Sequence, residues 1–291
     1  MPDIEGWLTA NLQLVLQQQI QDPQVENLIS EIISPDIAFN IMRQQQSSYC
    51  QDHYKEEFSD DSHSDHNNSK ISTVRSYLNQ AIGLMPNNSL PCIDVGCAVG
   101  GTTFDIAKKR QAPTLGIDLN WPLLNIARNI LENSVISYPH RIIGNRYERR
   151  ETKAFYPSLE LCDFWIADAT CLPFGEDKFG LAVALNILDC LPGSQEFLTG
   201  LLRIVKNDCG LVISCPFDWT SHTTNQKNWI YGGPALDKIF TDIRLASLNG
   251  EQKYFIFKSE PIETEWTLQL HKYSKINYLT RIYSLAVAST I

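Results

Sequence analysis

The sequence predicts an α/β fold, a mostly parallel sheet with an antiparallel last strand, preceded by an N-terminal helical region. Three observations predict it. From residue 90 onward, short apolar runs alternate with amphipathic stretches, which is the pattern of strands and helices taken in turn. The short runs are nearly continuous in Val, Ile, Leu and Ala, as strands covered on both faces are. A glycine-rich loop follows the first of them and opens a helix.

Residues 1–48 read as helical. Leu8, Leu12, Val15 and Leu16 share one face, with Gln-rich positions on the other. Asp22-Pro23 and Ser34-Pro35-Asp36 are helix-start signals with Pro in the first turn. Residues 59–70, SDDSHSDHNNSK, contain no apolar side chain and read as a solvated loop. His63 and His66 lie there without a ligand spacing that points to a metal. A helical pattern resumes over Ile71 to Leu84, with Val74, Leu78 and Ile82 in phase.

The alternation then runs as follows. Cys92–Val95 is a strand, Thr103–Arg110 a helix, Thr114–Ile117 a strand and Pro122–Leu131 a helix. Later strands are Phe164–Ala167, Leu181–Leu185 and Leu211–Cys215, with Phe197–Val205 as a helix between the last two. Residues 134–163 form an insertion whose Arg and Tyr pattern suits a solvent-facing hairpin. Glu265–Leu270 alternates like a last strand, with Tyr254–Lys258 as its hairpin partner. Leu279–Ala288 is apolar and either closes the sheet or pairs with another subunit in a homodimer. Two regions are expected: a helical extension over 1–89 and the sheet domain over 90–291.

Composition narrows the function classes. The chain has 291 residues, a net charge of −9 and 20% charged residues, an ordinary globular composition. The acidic balance argues against a phosphate-tracking surface, so nucleic acid is not an expected partner and a small molecule is. No apolar run is long enough to span a bilayer. The first residues lack a basic stretch followed by an apolar one, so no secretory signal is expected. Eight Cys without a CxxC pair predict neither a disulfide framework nor a metal site, and a reducing cytoplasm fits.

The chemistry gathers at strand ends. Ile93-Asp94-Val95-Gly96-Cys97-Ala98-Val99-Gly100-Gly101 leads into a helix at Thr102-Thr103. Its glycines permit close backbone approach and its helix start offers free N–H donors. Asp94, before the glycines, would repel a pyrophosphate but suits an ammonium group. Asp118 with Leu119 ends the second strand, where a carboxylate accepts from ribose hydroxyls. Asp168-Ala169 ends the third, placed to accept from an adenine amine. A molecule with ribose, adenine and ammonium together is S-adenosylmethionine.

The set DVGCAVGG, GIDLN and ADATCLPF resembles class I S-adenosylmethionine-dependent methyltransferases, with Ala98 standing where that family has a middle glycine. The resemblance implies a Rossmann-like fold, S-adenosylmethionine as cofactor and S-adenosylhomocysteine as product. It places Asp94, Gly96, Cys97, Ala98, Gly100, Thr103, Asp118, Leu119, Asp168, Ala169 and Asn186 around the cofactor. Residues 90–245, with GCAVGGTTFDIAKK and Trp219 followed by Lys227-Asn228-Trp229-Ile230-Tyr231-Gly232-Gly233, are similar to the methyltransferase domain of ovothiol synthase. That similarity implies methylation of an imidazole nitrogen on a histidine-derived thiol. Ser221-His222 departs from the acidic pair usual in that family.

For the reaction itself, Asn186 and Asp189, just beyond the fourth strand, are candidate proton acceptors. Asp189 reads equally as a helix-start acid and Asn186 as a turn residue. Trp219, Trp229 and Tyr231 either wall a ring-shaped acceptor or pack a long loop. His222 reads as a solvated loop side chain. Tyr49, His53 and Tyr54 are candidates to cap the site from the N-terminal region. Trp229 and Tyr54 join Asn186 and Asp189 as catalytic candidates, and no metal is expected. Two rivals remain: methylation of oxygen, sulfur or carbon on another metabolite, and a silent cofactor-binding module.

Overall fold

A computed structural model describes residues 38–58, 72–248 and 250–290. The helices expected before residue 38 and the His63/His66 loop lie outside the described residues.

The described residues begin with α1 (Ala38–Tyr54) and α2 (Thr73–Gly83). Ser72 caps α2 by accepting from the Arg75 amide at 3.2 Å. The alternating core follows: β1 (Cys92–Val95), α3 (Gly101–Arg110), β2 (Thr114–Asp118) and α4 (Trp121–Asn133). Asn120 caps α4 and Pro122 occupies its first turn, a start that the sequence pattern anticipates. The antiparallel pair β3 (Val135–Ile143) and β4 (Arg146–Lys153) forms the expected hairpin in the insertion. Then come β5 (Cys162–Ile166), β6 (Phe179–Leu185), α5 (Ser194–Ile204), β7 (Val205–Cys215) and α6 (Gly233–Asp242). The tail holds β8 (Leu245–Ala246), β9 (Gln252–Phe257), β10 (Ile262–His271) and β11 (Ser274–Thr290).

The main sheet runs β5-β2-β1-β6-β7-β11-β9-β8, with β10 also on β11. The first five strands are mutually parallel, and β11 enters antiparallel between β7 and β9. This is the Rossmann-like doubly wound sheet with an antiparallel strand that the sequence predicts. The final pairing differs in detail. β9 and β10 do not pair with each other. They lie end to end along one edge of β11, which takes Phe257 opposite Leu285 and Ile262 opposite Ile282. The 17-residue β11 is long enough to serve both, so the segment 279–288 closes the sheet. The half of β11 before Arg281 runs past Cys215, the end of β7, and with β10 stands as an arm beyond the carboxyl edge.

Side-chain alternation builds the two faces. Ile93, Val95, Ala182, Ala184, Leu211 and Ile213 point into a core shared with α5 and α6. Cys92, Leu181, Val183, Leu185 and Val212 point into a second core with Val74, Leu78 and Ile82 of α2. Thus α2 is a layer of the sheet, not a cap over the site. The division at residue 89 separates no two cores. A third cluster joins α1 (Cys50, Tyr54) to the glycine loop and α4.

Candidate active site

The site is assembled at the carboxyl ends of β1, β2, β5 and β6, where a doubly wound sheet leaves its crevice. Gly96 turns the chain with φ +78°, and a Cβ there would lie 2.5 Å from Ile187 Cδ1, so only glycine fits. The Gly96 and Cys97 amides both donate to the Ile117 carbonyl, at 2.8 and 3.0 Å, tying the loop to β2. Gly100, at φ +86°, is the N-cap of α3. Ala98 has φ +49°, a left-handed conformation that glycine adopts freely and alanine under strain. The departure at this position is therefore paid in backbone strain more than in size.

Asp118 is held from two sides. Its Oδ2 accepts from the Ala98 amide at 2.9 Å and its Oδ1 from the Asn120 amide at 2.7 Å. Burial raises its pKa. A carboxylate has about four acceptor sites, so each oxygen keeps a lone pair in a preset direction. Leu119 beside it is exposed. Asp94 is 1% exposed, and its Oδ2 accepts from the hydroxyls of Thr102 and Thr103, each at 2.7 Å. Burial pushes its pKa up to about 6 against those two bonds. Asp168 Oδ1 takes the amide (2.8 Å) and hydroxyl (2.7 Å) of Thr170, while Ala169 packs into the core. The Cys97 thiol is buried, and burial raises its pKa well above its ordinary value.

A second group of side chains sits at the ends of β6 and β7. Asp189 is 2% exposed, and its Oδ2 accepts from the Asp218 amide at 2.7 Å. Burial, with Asp218 adding a like charge, brings its pKa up to about 6. Cys190 is exposed as a residue, but its thiol turns inward to lie 3.9 Å from Asp189 Oδ1, and desolvation with Asp189 and Asp218 raises its pKa. Tyr278, on the β11 arm, is raised to about 12 by burial and by Asp218. Tyr49 of α1 completes the group. Its phenol is raised by burial and then by Cys190, Asp118, Tyr278 and Asp189 around it. These four neighbours are all negative when ionised.

Three of the four catalytic candidates hydrogen-bond to other parts of the protein. The Asn186 side chain makes three hydrogen bonds. Its Oδ1 accepts from Ser214 (2.7 Å) and Thr280 (2.8 Å), and its Nδ2 donates to Tyr77 (3.0 Å), joining β6, β7, β11 and α2. It ties the strand ends together: its amide oxygen is taken by two hydroxyls, while Nδ2 keeps a second N–H. Tyr54 is fully buried and donates its hydroxyl to the Val99 carbonyl of the glycine loop. Trp229 donates to the Thr224 carbonyl and Trp219 to the Ile230 carbonyl, both at 3.0 Å. These bonds stitch the loop after β7 to itself, so its indoles pack a long loop. Tyr231 and His222 are exposed. Asp189 stays beside the crevice. Cys190, Asp218 and Tyr278 are absent from the sequence reading, because residues from three separate segments meet only through the pairing of β7 with β11. Among the described residues, no three His, Cys, Asp or Glu side chains gather as metal ligands, and no helix is long and apolar enough to cross a membrane.

No family model matches the chain. Ajmaline N-methyltransferase of Rauvolfia serpentina is 23% identical over 128 residues, 44% of this chain, and the match spans about a third (35%) of that relative's length. Among solved structures, an S-adenosylmethionine-dependent methyltransferase of Methanosarcina mazei is 15% identical over 70% of this chain and 95% of that one, TM-score 0.45. The phosphoethanolamine N-methyltransferase 1 of Haemonchus contortus, with S-adenosylhomocysteine bound, is 12% identical over 91% of this chain and 48% of its own, TM-score 0.47. None of these three is named as an ovothiol synthase.

Proposed function

We propose that the chain is an S-adenosylmethionine-dependent methyltransferase of a small molecule, and that its acceptor is an imidazole nitrogen of a thiohistidine-type compound. One observation carries the cofactor reading. Three aspartates, Asp94, Asp118 and Asp168, stand at the ends of neighbouring strands around one glycine loop. The donor chemistry fits. Asp118 holds free lone pairs for a pair of ribose hydroxyls, Asp94 offers a buried carboxylate to an ammonium, and Asp168 stands ready for an exocyclic amine. When bound, S-adenosylmethionine supplies an activated sulfonium methyl, and alignment supplies most of the rate.

The acceptor reading rests on Tyr49, Asp189, Asp218 and Tyr278. An imidazole becomes cationic as its nitrogen is methylated, and a site whose groups are all neutral or negative favours that charge. Asp189, near pKa 6, is largely ionised at neutral pH and accepts the ring N–H proton that the cationic product gives up. The phenols of Tyr49 and Tyr278 orient the ring.

One mass-spectrometric assay tests both levels. The protein is mixed with S-adenosylmethionine and 5-thiohistidine, with histidine and ergothioneine in parallel. One methyl added to the thiohistidine ring, with equal S-adenosylhomocysteine, supports the whole reading. No product, with S-adenosylhomocysteine still binding by calorimetry, rejects this acceptor and keeps the cofactor. No binding rejects both.

A further inference from the structure

We propose that Tyr54 is a positioning residue for the cofactor: its buried hydroxyl holds the Val99 carbonyl and so sets the Val99–Gly100 peptide of the glycine loop. The inference rests on the cofactor reading above.

The loop is pinned along most of its length by its own sheet. The Gly96 and Cys97 amides go to Ile117, the Ala98 amide goes to Asp118, and the Gly100 amide goes to Cys97. The Val99 carbonyl instead turns away from the sheet and meets α1. The peptide it belongs to ends at Gly100, whose φ is +86°. Glycine accepts φ of either sign, so this peptide can turn over with no side chain at Gly100 to oppose it. A turned peptide would swing the Val99 carbonyl away from α1 and reverse the dipole of the loop at this point. The Tyr54 hydroxyl holds the carbonyl side of this peptide against that turn, as the Gly100 amide bond to Cys97 holds its N–H side.

Tyr54 is itself braced from the helix that the loop begins. Arg75 donates two bonds to Asp105 of α3, at 2.6 and 2.8 Å, one to the His53 carbonyl at 2.7 Å, and one to Glu57 at 3.1 Å. The contacts close a ring: glycine loop, α3, Arg75, α1, Tyr54 and back to the loop. The N-terminal region therefore reaches the cofactor from behind, through the backbone, and its tyrosine takes no part in proton transfer.

The test compares two substitutions of the same kind. Y54F keeps the ring and removes the hydroxyl from Val99. Y156F removes the hydroxyl that Tyr156, with its ring 6.4 Å from that of Tyr54, donates to Glu57. Both are read by calorimetric binding of S-adenosylhomocysteine at 25 °C and by melting temperature. The expected result is a five- to tenfold weaker affinity in Y54F, an affinity within twofold of wild type in Y156F, and similar small losses in melting temperature for both. A purely structural role would lower both melting temperatures and move neither affinity. Wild-type affinity in Y54F, or equal losses in both variants, overturns the proposal while leaving the cofactor reading in place. Failure of the wild type to bind overturns the cofactor reading and this proposal with it. In the unsubstituted protein, S-adenosylhomocysteine should also slow amide hydrogen exchange at residues 50–57. No slowing there, with slowing at 96–103, overturns it as well.

Discussion

Replacing Arg75 by Met should show how firmly the N-terminal helices belong to the sheet domain. The Arg75 side chain is 10% exposed, as is that of Asp105, its bidentate partner. Glu57, the second carboxylate on it, is 18% exposed. Met keeps the length of the side chain and removes its charge and donors. Asp105 would then be left buried without its cation, and the His53 carbonyl would lose a donor. Breaking a buried pair from one side costs about 3–5 kcal/mol, because the remaining charge stays desolvated. For a domain of this size, each kcal/mol lowers the melting temperature by about 2–4 °C, so Arg75→Met should melt about 10 °C below the wild type. A second substitution, Asp105→Leu, removes the stranded charge, and the double variant should recover at least half of the loss. Thermal unfolding followed by circular dichroism at neutral pH reads all three proteins. A single variant within about 2 °C of the wild type would refute the reasoning. So would a double variant no more stable than the single one, since the loss would then not come from a stranded carboxylate.

The remaining predictions concern the site. Asp94 has a folded pKa of about 6 against an ordinary 3.8, so its contribution to stability is present at low pH and is lost as pH rises through about 6. Two units correspond to about 3 kcal/mol, so Asp94→Asn should gain stability over wild type between pH 4 and 7 while binding S-adenosylhomocysteine more weakly. Parallel melting curves at all pH values would contradict this. Asp189→Asn should lower turnover by about 100-fold and abolish the rise in rate as pH passes about 6, because its amide cannot take a proton. An unchanged pH–rate profile would remove Asp189 from the reaction. Ala98→Gly relieves left-handed strain of about 1–2 kcal/mol and adds about 0.4–1 kcal/mol of chain entropy to the unfolded state. It should melt at or slightly above the wild-type temperature with cofactor affinity retained. A fall of several degrees would show that the Ala98 methyl group is needed for packing.

How much was readable in advance varied with the range of the interaction. The strands β1, β2, β5, β6 and β7, the helices between them and the insertion hairpin follow from local hydrophobic period and from caps such as Asn120 and Pro122. The glycine loop and the aspartates at the strand ends follow from the same source, since each depends on its immediate neighbours in the chain. The tail pairing was misread because Tyr254–Lys258 and Glu265–Leu270 both alternate like partners for a neighbour, and period alone does not say which neighbour. The hydrogen bonds of Asn186 are hidden from the sequence for a related reason. Its position beyond β6 is set locally, but the three hydroxyls that bind its amide come from Tyr77, Ser214 and Thr280.

The sequence by itself determined the doubly wound sheet, the order of its core elements and the loop and acids at its carboxyl ends. These are properties of one segment and the next. Tertiary structure alone decided what each side chain can still do. It put α2 against the sheet, committed Tyr54 to a carbonyl and Asn186 to three hydroxyls, and brought Tyr49, Asp189, Asp218 and Tyr278 together. A polar side chain's role depends on which partners satisfy it. Those partners arrive only when strands far apart in the chain pair and exclude water around them.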